Sequence, residues 1–309
     1  MKDSPRRKWP AWTLLLWLLP VVALVVYTVT SMGGGGGEPK SGSESVFDPT
    51  NVPELQLKGV IPEGASSWTE LKLSAAPELD DKMRAQGKEL YAKACAACHG
   101  DDGKGEGPLM ARLDLVPRPA NFTIPIRSIK LRSTRAGTLP LDEDLFRSIT
   151  RGLPGTAMLS FRNLTDTERW SLVEHIKKFW ANDKRWAAAQ PVQLFKKLPR
   201  SAELLEIGKQ QYKTYCRNCH GEEGLGGTSV AYQAERMYPA VRFARSGGKY
   251  MLRGAREEDL ALTLIAGSSG TSPMLSFLPT FFEDQPVGVG DKRLWGTVFY
   301  TRDLIDAQK

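Results

Sequence analysis

Cysteine and histidine are scarce in this sequence, which has 4 cysteines and 3 histidines in 309 residues. All the cysteines lie in two short clusters, Cys95 with Cys98 and Cys216 with Cys219, so none remains for a disulfide framework spread over the chain. A large charge imbalance is also missing. The formal net charge is +7, of which the first ten residues contribute +3, and we infer no nucleic-acid partner from it.

Each cysteine cluster is followed at once by a histidine, giving Cys-x-x-Cys-His at residues 95–99 and again at 216–220. A structural zinc site normally needs a second pair about 15 to 20 residues away. Cys95 and Cys216 are instead 121 positions apart. A thioredoxin-type dithiol belongs beside a βαβ pattern and needs no adjacent histidine. A local disulfide would leave the histidine without a role.

Covalent haem attachment is the one use that involves all three residues. Each thiol forms a thioether with the haem, and the adjacent imidazole binds the iron. The repeated pattern therefore predicts two covalently bound haem c groups. The residues involved are Cys95, Cys98, Cys216 and Cys219 as attachment sites, and His99 and His220 as axial ligands.

The sequence resembles the diheme cytochromes c built from class I type domains, over roughly residues 80 to 180 and 202 to 305. Gly87 and Tyr91 precede Cys95 by eight and four positions, as this family requires, and Gly208 and Tyr212 do the same before the second motif. A glycine-rich loop follows each histidine. The resemblance implies two tandem class I cytochrome c-like haem domains and so a mostly α fold. The N-terminal transmembrane helix predicted to precede them rests on a separate pattern, described below.

A second axial ligand is needed for each haem, and His175 is the only histidine outside the motifs, so two bis-histidine haems cannot form. An internal repeat aligns residues 143–161 with 258–277 and makes Met158 and Met274 equivalent. In the family, a Gly-Thr-x-Met stretch carries the methionine that binds iron, so the resemblance assigns this role to Met158 and Met274. Leu159 and Leu275 follow them, where the family commonly has proline.

The other methionines and the third histidine are interpreted as packing residues, because a thioether fills irregular gaps in a core well. This interpretation covers Met83, Met110, Met237, Met251 and His175. Thr165 and Glu168 have the spacing of a capping box at the start of a helix that includes His175.

The N-terminus has four basic residues in positions 1–10, followed by an uncharged run at 11–30. At about 1.5 Å per residue, such a run spans the hydrocarbon core as a helix. A cleaved signal peptide is the alternative, although its apolar region is usually shorter. The pattern predicts a single-pass protein of the bacterial cytoplasmic membrane, with a cytoplasmic N-terminus and the haem domains on the periplasmic side.

The predicted organisation is a cytoplasmic tail at 1–10 and a transmembrane anchor at 11–31. A linker and extended segment at 32–79 precedes cytochrome c domain 1 at 80–185. A second linker at 186–201 leads to cytochrome c domain 2 at 202–309. The glycine-rich start of the first linker is typical of a flexible tether.

The predicted function is electron transfer between respiratory-chain components, from a quinol-oxidising complex or a dehydrogenase to a terminal oxidase or reductase. We expect redox proteins as partners, no catalytic residues and no small-molecule substrate, because two occupied axial positions leave the iron no site for a substrate. Two alternatives stay open: a haem enzyme of the diheme peroxidase class, and a haem subunit of a periplasmic dehydrogenase.

Overall fold

A computed structural model describes residues 67–113, 115, 117–230, 242–248, 251–268 and 274–308, all within one compact unit, Lys58–Lys309. The regular structure in these residues is helical, which confirms the prediction of a mostly α fold. Its β-structure is limited to two isolated bridges, Thr134 with Pro191 and Thr138 with Ala187. These bridges hold the segment between the two predicted haem domains against the first of them.

The helices form two similar sets, which we call the first lobe and the second lobe. The first lobe contains α1 Asp81–Ala94, α2 Ala96–His99, a 3-10 turn Pro108–Ala111, α3 Pro125–Ser128, α4 Asp142–Arg151 and α5 Asp166–Lys177. The second lobe contains α6 Ala202–Gln211, a π-helical turn Tyr212–Cys216, α7 Arg217–His220, a 3-10 turn Arg245–Gly248, α8 Glu257–Ala266, α9 Leu278–Phe282 and α10 Val289–Asp306.

Side-chain caps explain where several helices begin. The Asp80 carboxylate accepts a hydrogen bond from the backbone N–H of Met83 at 2.7 Å and so caps α1. The Thr165 hydroxyl accepts from the backbone N–H of Glu168, whose carboxylate accepts from the Thr165 N–H. This reciprocal pair confirms the predicted capping box. Ser201 caps α6 in the same way as Asp80 caps α1.

A glycine sets the closest helix crossing in each lobe. A Cβ added at Gly87 of α1 would lie 2.1 Å from the Ser171 carbonyl oxygen of α5. One added at Gly208 of α6 would lie 1.9 Å from the Gly296 carbonyl oxygen of α10. Glycine costs helix stability, and these backbones can touch only without a side chain. The crossing brings each lobe's first and last helices into backbone contact, and the first helix of each lobe leads along the chain to its haem motif.

Each lobe has its own hydrophobic cluster. The first includes Met83, Phe146 and Trp170, and the second includes Met251 and Trp295. The predicted packing role of Met83 and Met251 is confirmed, because both lie within these clusters and are 8% and 9% exposed. Met237 lies outside the described residues.

The predicted localisation needs correction. Among the described residues, no helix is both long and apolar enough to span a membrane. The longest of them, α10, has 18 residues and includes six charged side chains, and a helix of that length reaches about 27 Å, short of the hydrocarbon core. This contradicts the prediction of a single-pass protein of the bacterial cytoplasmic membrane. The segment 11–31 assigned to the anchor lies outside the described residues.

Candidate haem sites

The four residues predicted to hold the first haem line one cavity. Cys95, Cys98 and His99 line it from the α1–α2 junction, and Met158 lines it from the loop after α4. The rest of the lining is mainly apolar and includes Leu115, Ile129, Leu131, Leu145, Ile149 and Phe161. Two thiols, an imidazole and a thioether around an apolar space fit a covalently held porphyrin and its iron.

His99 has the orientation that an iron ligand needs. Its Nδ1 lies 3.0 Å from the Ala120 carbonyl oxygen. Because a carbonyl only accepts hydrogen bonds, Nδ1 must donate the proton, and Nε2 retains the lone pair that binds metal. Phe122 stacks on the imidazole with ring centroids 4.6 Å apart. Burial lowers the pKa of His99, which favours the neutral, ligating ring.

The thiols do not have the properties of a redox dithiol. Burial raises the pKa of Cys95 to about 12 and that of Cys216 to about 12, whereas a reactive dithiol needs a lowered pKa. None of the four cysteines is joined in a disulfide. No group of three or more His, Cys, Asp or Glu side chains in the described part of the chain could hold a metal ion, so the zinc alternative gains no support.

Two hydrogen bonds fold the loop after the first motif. The backbone N–H of Gly105 donates to the His99 carbonyl at 2.8 Å. The buried Tyr91 hydroxyl donates to the Gly100 carbonyl at 2.8 Å. The tyrosine and the glycine-rich loop that carry the family resemblance therefore hold the backbone on both sides of the histidine.

The second motif has the same arrangement, with each residue 121 positions after its counterpart. Gly226 N–H donates to the His220 carbonyl at 2.8 Å, and the Tyr212 hydroxyl donates to the Gly221 carbonyl at 2.7 Å. Phe243, the counterpart of Phe122, contacts the His220 ring edge-on with centroids 5.2 Å apart.

The loops that carry Met158 and Met274 are also held alike. The Leu153 N–H donates to the Met158 carbonyl at 3.0 Å, and the Ser268 N–H donates to the Met274 carbonyl at 3.0 Å. Both methionine side chains are half-buried. Residues 269–273, which include the inserted proline, lie outside the described residues.

A glycine precedes each methionine loop, at the end of the preceding helix. Gly152 has a φ of +71° and Gly267 a φ of +67°. A Cβ on Gly152 would lie 2.7 Å from the Met158 carbonyl oxygen, and one on Gly267 would lie 2.7 Å from the Ser276 N. Only glycine combines this backbone angle with so close a return of the chain.

In the second lobe, Cys216, His220 and Met274 lie in or against one hydrophobic cluster. Cys216 is buried, while Cys219 and His220 are half-buried. Met274 packs against the hydrophobic cluster that contains Cys216 and Phe243. The ligand set of the second lobe stays a prediction, as does the ligation by Met158.

Sequence analysis did not identify Ala120, Phe122 and Phe243 as site residues. Phe122 and Phe243 could have been found, because each follows its motif histidine by 23 positions. The Ala120 carbonyl could not, since any residue type supplies a carbonyl. His175, interpreted as a packing residue, packs against Tyr91 with ring centroids 4.8 Å apart and the rings tilted by 45°.

Comparison with known proteins agrees with this geometry. Residues 82–176 match the family model described as Cytochrome C oxidase, cbb3-type, subunit III. The match contains Cys95, Cys98, His99 and Met158. These residues therefore lie in a cytochrome c-type domain, an electron-transfer module that carries covalently bound haem c. The second motif lies outside the matched range.

A solved chain of the reducing HAO-like protein complex of Kuenenia stuttgartiensis is similar over a longer range. The match covers 76% of this chain and 100% of that one, at 28% sequence identity and a TM-score of 0.58. A search of curated proteins found no significant match.

Proposed function

We propose that this protein is a diheme electron-transfer protein that relays electrons between a donor and an acceptor protein of a respiratory chain. In this proposal Cys95 and Cys98 hold one haem c, with His99 and Met158 as its axial ligands. The second haem c is held by Cys216 and Cys219, with His220 and Met274 as its axial ligands. Haem c with histidine and methionine ligands gains and loses one electron with both axial positions occupied.

The observation that carries the proposal is the repeated construction of the two lobes. The tyrosine, the glycine loop and the aromatic neighbour recur 121 positions apart around His99 and His220. The same carbonyl contact restrains the loops of Met158 and Met274. The contacts that hold the histidine and methionine loops are present in both lobes, and this repetition favours one haem in each lobe over a single haem in the chain.

Exposed leucines support a protein partner. Leu159 and Leu275 directly follow the two methionines and are 44% and 71% exposed. They offer apolar contact beside the proposed haem sites, where electrons would enter and leave. The similar solved chain also belongs to a protein complex.

The peroxidase-class alternative needs one iron with an open distal side. The matched methionine loops of the two lobes favour two closed sites instead, because they place a half-buried thioether at the same point of each lobe.

An anaerobic reductive titration tests the proposal. The holoprotein is expected to take up two electrons per chain, and a Cys216→Ala, Cys219→Ala variant one, because each attachment motif is expected to serve one single-electron centre. The half-reduced protein is expected to leave added hydrogen peroxide unconsumed. Uptake of one electron by the unmodified protein, or peroxide turnover, would contradict the proposal.

A further inference from the structure

Residues 67–74, which we call the strap, precede the first lobe in sequence but are anchored in the second. Trp68 is 1% exposed and belongs to the second lobe's hydrophobic cluster. Its backbone N–H donates to the Arg253 carbonyl oxygen at 2.8 Å. The Thr69 N–H and hydroxyl donate to the Asp259 carboxylate at 3.0 and 2.9 Å, across 190 positions of the chain. This end of the strap is therefore held by residues far from it in sequence.

The other end of the strap is attached to the first lobe. Leu73 packs against the first lobe's hydrophobic cluster. The Ser74 hydroxyl accepts a hydrogen bond from Trp170 Nε1 of α5 at 3.1 Å. Leu73 follows Trp68 by five positions, so the chain between them spans at most about 18 Å. A short segment thus contacts the hydrophobic clusters of both lobes and limits how far the lobes can move apart.

The Trp68 ring lies between one arginine from each lobe. The Cζ of Arg147, in α4 of the first lobe, is 4.9 Å from the ring centroid. The Cζ of Arg253, in the second lobe, is 5.7 Å from it. Both distances are within the range of cation–π contacts. The indole Nε1 is buried and has no hydrogen-bond partner among the described residues. The aromatic face, rather than the indole N–H, therefore fixes this side chain between the lobes.

A buried carboxylate depends on the strap for its hydrogen bonds. Asp259 is 0% exposed, and its Oδ1 accepts both hydrogen bonds from Thr69. Its Oδ2 is buried and has no partner among the described residues. Because a buried carboxylate is costly without hydrogen bonds, detaching the strap would leave Asp259 in an unfavourable state. This dependence favours a strap that stays in place.

The two candidate haem sites share residues at the contact between the lobes. Leu131 and Leu153 line the first-lobe cavity. Leu131 is also a buried member of the second lobe's cluster, and Leu153 packs against that cluster. The same cluster contains Cys216 of the second motif. Because the same side chains border both sites, a change in how the lobes meet would also change the separation of the sites.

We propose that Trp68 is a positioning residue for electron transfer between the two haems, because it binds both lobes and so fixes the separation of the haems. This inference rests on the proposed function, which supplies the two haems. In the transfer step, the ferrous iron of one haem loses one electron and the ferric iron of the other gains it, and no bond or proton is exchanged. The rate of such a step falls steeply as the centres move apart.

Pulse radiolysis of the holoprotein tests this role. One electron delivered to either haem is expected to redistribute to the other in a phase whose rate is independent of protein concentration. Trp68→Ala is expected to slow this phase severalfold, while both reduction potentials and the content of two haems stay unchanged. Hydrogen exchange at the Thr69 N–H is expected to rise by about a hundredfold or more, the effect of truncating a buried tryptophan on a packing equilibrium. Exchange at the Gly105 N–H, within the first lobe, is expected to stay the same.

Three further variants separate positioning from other effects. Trp68→Phe keeps a ring between the two arginines and loses an N–H without a partner, so it is expected to lie near the unmodified protein. Glu70→Gln removes an ion pair with Arg256 from the same strap, in which the two side chains are 44% and 54% exposed, and is expected to change neither rate. Thr69→Val is expected to slow the transfer less than Trp68→Ala, and it replaces Trp68→Ala if that variant does not fold.

Each outcome decides the matter. An unmodified transfer rate in the Trp68→Ala or Thr69→Val protein, with two haems and faster exchange at residue 69, would overturn this inference alone. So would an equal slowing by Trp68→Phe and Trp68→Ala, because the indole itself would then carry the electron. The same holds for an unmodified protein that has two haems but no concentration-independent phase. A chain that holds fewer than two haems would overturn the proposed function as well.

Discussion

Replacing Met158 with leucine is expected to convert one of the two haems from low-spin to high-spin while the fold is retained. Leucine has nearly the same volume as methionine and costs little in packing, but it has no sulfur to bind iron. The near-infrared band of a methionine–ferric bond is expected to fall to half its intensity per chain. The reduction potential of that haem is expected to drop by a few tenths of a volt, within the roughly 0.8 V that axial ligands span.

Matched controls separate ligation from packing. Met83→Leu in the first lobe and Met251→Leu in the second alter thioethers of the hydrophobic clusters and are expected to leave the optical and EPR spectra unchanged. Met274→Leu is expected to reproduce the Met158→Leu result for the other haem. If Met158→Leu leaves the ferric spectrum like that of Met83→Leu, Met158 is not an iron ligand.

Replacing Gly87 with alanine is expected to destabilise the holoprotein by about 3 kcal/mol, at the upper end for overpacking. In an open helix the same change would stabilise by up to about 1 kcal/mol, because alanine is the better helix former. Here the new Cβ would lie 2.1 Å from the Ser171 carbonyl oxygen, and backbone cannot move aside as a side chain can. Helices α1 and α5 would have to separate, which loosens the support beneath Tyr91 and the first motif.

Chemical denaturation followed by circular dichroism measures this effect. Gly137→Ala is a suitable control, because Gly137 also lies in the first lobe but has no atom within 4 Å of an added Cβ. The backbone angle of Gly137, a φ of +84°, is then the only source of strain, and it is expected to cost about 1 kcal/mol. Equal stabilities of the two variants would show that the helix crossing tolerates a side chain.

The parts of the site that could be predicted from sequence are those repeated along the chain. The two Cys-x-x-Cys-His motifs are local patterns, and the offset between Met158 and Met274 follows from the internal repeat. Helix starts at Thr165 and Ser201 follow from capping chemistry, which involves residues three positions apart.

The parts that could not be predicted depend on contacts between distant residues. Thr69 binds the Asp259 carboxylate 190 positions away, and Arg253 binds the Arg132 carbonyl 121 positions away. Neither partner has a local pattern. The internal repeat would also give a wrong prediction for the contact between Thr69 and Asp259. Asp144 is the counterpart of Asp259 in the repeat, but Asp144 accepts its hydrogen bond from Ser133, only 11 positions away.

The intact mass of the denatured protein tests the central claim most directly, because thioether-linked haem remains attached when the fold is lost. Our account predicts a mass excess of two haem groups over the polypeptide, and of one in the Cys216→Ala, Cys219→Ala variant. An excess of one haem in the unmodified protein, or none, would contradict it.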